Sequence, residues 1–222
     1  MDKNQQAIAY MKEGKYEESA KLFNKLIEEN PRDPVGYINF GNVLLHINEL
    51  ARAKVFFEKA IALDEYAATA YYGLGNLYFE QSVYGKAQEN FQKAIELGLE
   101  EADVYYMLGL TLQKQEQFKL ALPYLLRATE LDQGDDELLF QYGLSLAQSN
   151  HITEAEAIFK NVLKLNAKHS DAHYNLGVID LYYDKPEKAL THFDDALQIQ
   201  PEHVLAANGK KKAEELINHN ET

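Results

Sequence analysis

Residues 169–173 read His-Ser-Asp-Ala-His, two histidines four apart with Asp171 between them. On a helix that spacing puts both imidazoles on one face, where neutral ring nitrogens suit a transition-metal ion. The sequence nominates no third ligand for His169 and His173, and His46, His151, His192, His203 and His219 are scattered. A second candidate is Gly73-Leu74-Gly75, which has the start of a nucleotide-binding loop. It lacks a third glycine and a preceding strand pattern, and no G-x-x-x-x-G-K loop followed by Ser or Thr occurs in the chain. There is no Cys, which excludes disulfides, thiolate metal sites and cysteine nucleophiles. No pair of carboxylates stands out from a charged helical background, so nothing nominates a general acid and base. These observations predict no enzyme, no cofactor and no metal. The chemistry left over is that of aromatic and amide side chains, which is recognition.

Composition narrows what positions those side chains. Hydrophobic residues make up 46% of the 222 residues, enough for a continuous core, and the 5 Pro and 12 Gly are few for an all-β chain. The net charge is -13, and it is spread: residues 1–110 carry 11 Lys+Arg against 17 Asp+Glu, and residues 111–222 carry 11 against 18. An evenly acidic surface disfavours phosphate-backbone binding, so no nucleic-acid partner is expected. It is compatible with a basic protein partner, and equally with charge that serves solubility alone. The segment "MDKNQQAIAYMKEG" has no apolar core of a secretory signal. The longest uncharged run, residues 34–48, is too short for a membrane span. A soluble, cytoplasmic protein is therefore expected.

The organising feature is a period of 34 residues. Gly41, Gly75, Gly109, Gly143 and Gly177 recur at that step, each preceded by Phe40, Leu74, Leu108, Tyr142 or Leu176. Twelve residues after each glycine stands Ala53, Ala87, Ala121, Ala155 or Ala189. Sixteen after stands Phe57, Phe91, Leu125, Phe159 or Phe193, and nineteen after Ala60, Ala94, Ala128, Val162 or Ala196. One period earlier the pattern is degenerate, with Ala7 for the glycine and Ser19 for the first alanine, while Phe23 and Pro31 fit. The repeats run 1–33, 34–67, 68–101, 102–135, 136–169 and 170–203, with 204–222 as a single C-terminal capping helix.

Each repeat reads as two helices. In the third, apolar residues at 71, 74, 78 and 79 give one helix over 69–81, and Ala87, Phe91, Ala94 and Ile95 give another over 84–97, with a break at Ser82–Val83. Small residues at the glycine and alanine positions let the two helices approach closely. Gly98 sits where a helix stop favours a left-handed residue, and Asn30, Asp64, Asp132 and Asn166 hold the equivalent place. Pro34 behind Asp33 reads as an N-cap followed by proline in the first turn. Leu205, Ala206, Ala213, Leu216 and Ile217 are expected to close the apolar end of the last repeat. Gly73 has no counterpart in the neighbouring repeats, where Asn39, Met107, Gln141 and Asn175 stand.

"YYGLGNLYFEQSVYGKAQENFQKAIEL" (71–97) and "HYNLGVIDLYYDKPEKALTHFDDALQIQP" (173–201) resemble the tetratricopeptide repeat: aromatic, two residues, Leu-Gly, two residues, Tyr, then Ala, three residues, Phe, two residues, Ala. Asp180 departs from the pattern, and only the first and sixth repeats keep the closing proline. The style is similar to small free-standing bacterial repeat proteins. The resemblance implies an all-α, right-handed solenoid of stacked helix pairs whose first helices line a concave groove. It places in that groove the residues three before the glycine (Ile38, Tyr72, Tyr106, Phe140, Tyr174), one after it (Asn42, Asn76, Leu110, Leu144, Val178) and four after it (Leu45, Phe79, Gln113, Ala147, Leu181). Asn42 and Asn76, with Asn39 and Asn175, offer amide donors and acceptors suited to a peptide backbone. Two readings of this apolar stripe stay open: a surface for a partner's extended peptide or helix, or side chains buried between neighbouring repeats. A subgroup that clamps the C-terminal carboxylate of chaperones with Lys and Arg is not matched, since Asn4, Ile8, Ile38 and Asn42 stand at those positions. Acidic Asp103, Glu137 and Asp171, six before their glycines, suggest a partner with some positive charge. The leading expectation is a protein-interaction scaffold. The alternative is a self-assembling module, with the oligomeric state open, and an RNA-binding helical repeat is disfavoured by the charge.

Overall fold

The computed structural model describes residues 2–220. Among the described residues there are thirteen helices and no strand. The chain divides after Gln115 into two compact units. The first holds α1 (Lys3–Lys12), α2 (Tyr16–Glu29), α3 (Pro34–His46), α4 (Leu50–Leu63), α5 (Ala68–Glu80), α6 (Tyr84–Glu96) and α7 (Ala102–Lys114). The second holds α8 (Phe118–Leu131), α9 (Asp136–Gln148), α10 (Ile152–Leu165), α11 (Ser170–Tyr182), α12 (Pro186–Ile199) and α13 (Val204–Asn220).

Within each unit, consecutive helices pack as antiparallel pairs and the pairs stack. In the first unit α1 packs on α2, α3 on α4 and α5 on α6, while α1, α3, α5 and α7 also touch in series. In the second unit α9 packs on α10, α11 on α12, and α13 lies against both α12 and α11.

The recurring glycine is explained by a ring. Phe57, Phe91, Phe159 and Phe193 are fully buried. A Cβ added at Gly41, Gly75, Gly143 or Gly177 would come within 2.7, 2.4, 2.8 or 2.6 Å of the ring sixteen residues on. The partner of each glycine is thus the phenylalanine, where the sequence pattern pointed to the alanines. Gly73 obeys the same physics across a repeat boundary. Its Cβ would lie 2.3 Å from Phe57 Cε1, so that ring is clasped between Gly41 of its own repeat and Gly73 of the next. Gly73 does have a counterpart: Gly209 in α13, four periods on, would meet Phe193 at 2.6 Å. In the degenerate first repeat, Ala7 and Phe23 are fully buried, and the buried Ser19 hydroxyl donates to the Ala7 carbonyl at 2.8 Å.

Turns follow the same period. Gly14, Asn48, Ser82, Glu116, Asn150 and Asp184, seven residues past the glycine position, all have φ between 55° and 74°. Gly98 is left-handed as its type predicts, at φ 91°. Its equivalents are not: Asn30, Asp64, Asp132 and Asn166 have φ of -135°, -146°, -130° and -136°, the last three extended. Asp64, Asp132 and Asn166 instead accept a hydrogen bond from the backbone N–H two residues on, at 2.9, 3.1 and 3.0 Å, the side-chain mimic of a turn.

Helix starts are also periodic. Asp33 accepts from Val35 N–H, and Asp135 from those of Glu137 and Leu138. In the same register His169 Nδ1 accepts from Ala172 N–H at 3.2 Å and His203 Nδ1 from Ala206 N–H at 3.1 Å. A neutral imidazole lone pair there does the work of a carboxylate cap. In α13, Ala206 and Ala213 are fully buried against the preceding pair, whereas Leu205 is 56% exposed and does not close the stack as expected.

Candidate functional site

In the first unit, the helices that open the successive pairs enclose a cleft of about 790 Å³. Its lining comes from Met11 on α1, Asn42, Leu45 and His46 on α3, Asn48 in the turn after it, Tyr72, Asn76 and Glu80 on α5, and Asp103 and Met107 on α7. Stacking of repeats in register brings these together. Asn42 and Asn76 stand one period apart, so helices packed side by side present both amides to one wall.

The polar floor is built around Asn76. Its side chain shares a helix face with Tyr72, one turn earlier. Burial pushes the Tyr72 phenol above its ordinary value, the nearby Asn76 amide opposes this, and the charges of Asp103 and Glu101 add to it. Asn76 Oδ1 is buried without a hydrogen-bond partner. A buried acceptor in that state is unfavourable by about 1–3 kcal/mol unless a ligand or water donates to it. The charged groups of the lining are the carboxylates of Glu80 and Asp103, with His46 beside them and no Lys or Arg.

Of the residues nominated from sequence, the cleft gathers Asn42, Leu45, Tyr72 and Asn76. Others serve the scaffold. Ile38 and Phe140 are buried, 7% exposed each, and belong to the core where a groove position was expected. Ile38 packs with Ala60, Ala67 and Ala70, and Phe140 lies against Phe159 and His169. An aromatic residue three before the glycine packs at a tilt on the phenylalanine of its own repeat, with ring centroids 5.7 Å apart for Phe140 and Phe159, 5.8 Å for Tyr72 and Phe91, and 6.0 Å for Tyr174 and Phe193. Asn39 donates to Asn4 Oδ1 of α1 at 3.0 Å, and Asn175 to the Asp171 carbonyl within α11, so each amide spends one donor on the scaffold. Phe79 packs edge-on against Tyr84 across the turn between α5 and α6. Tyr106, Leu110 and Leu144 are half-buried, and Val178 is exposed.

The lining also holds residues that the sequence did not single out. Met11 stands four after Ala7, the glycine position of the degenerate repeat, so it occupies the register of Leu45. His46 and Glu80 are one residue further along their helices, and Met107 holds the place of Gly73. Each was reachable by carrying the period one position further. The histidine pair suggested by spacing does not converge. His169 is a helix cap whose Nε2 lies 4.0 Å from Glu137, while His173 packs against α12. Asp171, expected to favour a positively charged partner, accepts from His203 Nε2 at 3.0 Å.

Tetratricopeptide-repeat family models match residues 3–33, 36–66, 66–134 and 140–204. The crystal structure of YrrB, described as a TPR protein with an unusual peptide-binding site, is 49% identical, covers 86% of this chain and 99% of that one, and superposes with a TM-score of 0.81. This chain is a tetratricopeptide repeat (TPR) protein. The YrrB sequence of Bacillus subtilis (strain 168) matches it at 55% identity over 40 residues, a stretch that is 18% of this chain and 19% of that protein. Pseudomonas aeruginosa PilF shares the TPR fold at a TM-score of 0.82 and 16% identity, over 95% of this chain and 96% of its own. The TPR assignment accounts for the glycine, alanine and phenylalanine registers, and it supports a protein-interaction scaffold. No described helix is long and apolar enough to cross a membrane.

Proposed function

We propose that this TPR protein binds an extended segment of a partner protein in the cleft between α1, α3, α5 and α7. The observation that carries the proposal is Asn76 Oδ1, a buried acceptor without a donor on a residue that lines the cleft. An extended peptide supplies backbone N–H groups at regular intervals, and one of them satisfies this oxygen. Asn42 repeats the amide one helix away, and Leu45, Met11 and Met107 supply apolar contacts that adapt to different side chains. Glu80 and Asp103, with no cation in the lining, favour a peptide carrying Lys or Arg. YrrB's peptide-binding site is consistent with this reading. A non-catalytic adaptor in the cytoplasm, with a protein and not a nucleic acid as partner, belongs to the same proposal and accords with the charge of -13.

Panning a display library of unstructured peptides against the full chain tests it. Enriched sequences should carry basic residues and bind wild type at least about fivefold more tightly than Asn76→Leu, since an unmade hydrogen bond to a buried group is worth about 1–3 kcal/mol. Equal affinity for Asn76→Leu, with unchanged circular dichroism, would count against the cleft. Self-assembly makes a different prediction: mass by light scattering that rises with concentration, and loss of that rise on substituting Tyr72 and Tyr106.

A further inference from the structure

The second unit holds a group of side chains that neither the stacking of repeats nor the cleft uses. His173 on α11 and His192 and Asp195 on α12 each bring one potential ligand atom within 4.8 Å of the others, and the two imidazoles lie 5.8 Å apart. His173 Nε2 is 3.3 Å from the Ala167 carbonyl, to which it donates in the tautomer that leaves Nδ1 as a bare lone pair. That Nδ1 is buried, has no hydrogen-bond partner, and lies 3.6 Å from Asp195 Oδ2. His192 is arranged alike. Its Nε2 is 3.7 Å from Asp180 Oδ2, and its Nδ1 is buried and unpartnered. Both Nδ1 atoms are thus unpaired, that of His173 beside the Asp195 carboxylate, and each ring has its far nitrogen near a carbonyl or carboxylate oxygen. Ligands of a metal ion are oriented in this way.

We propose that His173, His192 and Asp195 bind one divalent transition-metal ion, with zinc the best match, and that the ion joins α11 to α12. Two neutral imidazoles and one carboxylate suit zinc and its neighbours, whereas calcium and magnesium require an all-oxygen shell. Bonds of about 2.0–2.1 Å in a tetrahedron separate adjacent ligand atoms by roughly 3.3 Å, so the 3.6 Å between His173 Nδ1 and Asp195 Oδ2 needs only a small side-chain adjustment. Asp195 is half-exposed, with its side chain 44% accessible, which leaves a path for the ion and room for a water as fourth ligand. Asp180, its side chain 14% accessible and its Oδ2 3.7 Å from His192 Nε2, is placed to orient the ring as an outer carboxylate after a small shift. Lys160 lies near His192, but it is engaged by Glu156 at 2.5 Å.

Calorimetric titration of the chelator-treated full chain with zinc chloride, and the visible spectrum with cobalt(II), test the assignment. One equivalent should bind, cobalt should give the intense absorption of a four-coordinate site, and zinc should raise the unfolding temperature. His173→Asn and His192→Asn should abolish all three, Asp180→Asn should weaken affinity by about tenfold or more, and His169→Asn, a cap outside the site, should keep it. Absence of one-to-one uptake by wild type overturns the proposal without reference to any variant. So does zinc affinity that survives in His173→Asn and His192→Asn.

Discussion

Gly73→Ala and Gly85→Ala are the same chemical change with opposite expected signs. At Gly85, in the first turn of α6, an added Cβ meets nothing within 4 Å. The substitution should therefore stabilise by up to about 1 kcal/mol through helix propensity and the loss of backbone freedom in the unfolded chain. At Gly73 the same propensity gain applies, but the Cβ would stand 2.3, 2.5 and 2.8 Å from three atoms of the Phe57 ring. That ring is fully buried, and Gly41 would meet it at 2.7 Å from the other side, so it has no direction in which to retreat. Overpacking of this kind costs about 1–3 kcal/mol, and a ring held on both sides belongs at the upper end. Subtracting the propensity gain of about 1 kcal/mol leaves a net loss near 2 kcal/mol, a fall of roughly 4–8 °C in unfolding temperature. Urea and thermal unfolding of the two variants measure it. Phe57→Leu in the Gly73→Ala background should lose less than the sum of the single changes, because the two sites share one contact. Gly73→Ala at or above wild-type stability, or full additivity with Phe57→Leu, would refute the clasped-ring account.

Ser82 holds a left-handed turn at φ 58° without being Gly, so Ser82→Gly should raise the unfolding free energy by about 0.5–1 kcal/mol, while Asn48→Gly gains less because Asn tolerates that region. Asp135→Ala removes the cap of α9 and should lower stability by about 1 kcal/mol in urea unfolding. The raised Tyr72 phenol gives a pH dependence of definite sign. Above about pH 10 the unfolded state releases this proton while the folded state keeps it, so the unfolded state binds fewer protons and stability falls as pH rises. Tyr72→Phe should flatten that alkaline decline, and an unchanged slope between pH 9 and about 11 would contradict the burial of the phenol.

Much of the scaffold was legible because packing enforces it. A glycine opposite a phenylalanine cannot drift from a 34-residue period without a collision, so the period carries the helix pairs and the capping helix with it. Gly73 was opaque because its partner, Phe57, belongs to the preceding repeat, and its one counterpart, Gly209, lies beyond the last full repeat. The left-handed turn was invisible for the opposite reason: Asn48, Ser82, Glu116, Asn150 and Asp184 share a backbone conformation but not a residue type. Depth was the weakest inference for the candidate site. A period says which positions are equivalent, not how far each lies from solvent. Ile38 and Phe140 therefore read as surface, whereas Ala60, Ala67 and Ala70 cover the one and Phe159 and His169 the other. Asn42 and Asn76 line the cleft, but the missing donor to Asn76 Oδ1 is a property of three-dimensional neighbours that no spacing reveals.

The central claim, that the cleft around Asn76 takes a peptide, is tested most directly by side-chain amide resonances of the isotopically labelled full chain. Titration with a peptide enriched by panning should shift the Asn42 and Asn76 side-chain signals and the backbone amides of α3, α5 and α7, and Asn76→Leu should suppress the whole set. A peptide that binds the chain while those two amides stay in place would contradict the account.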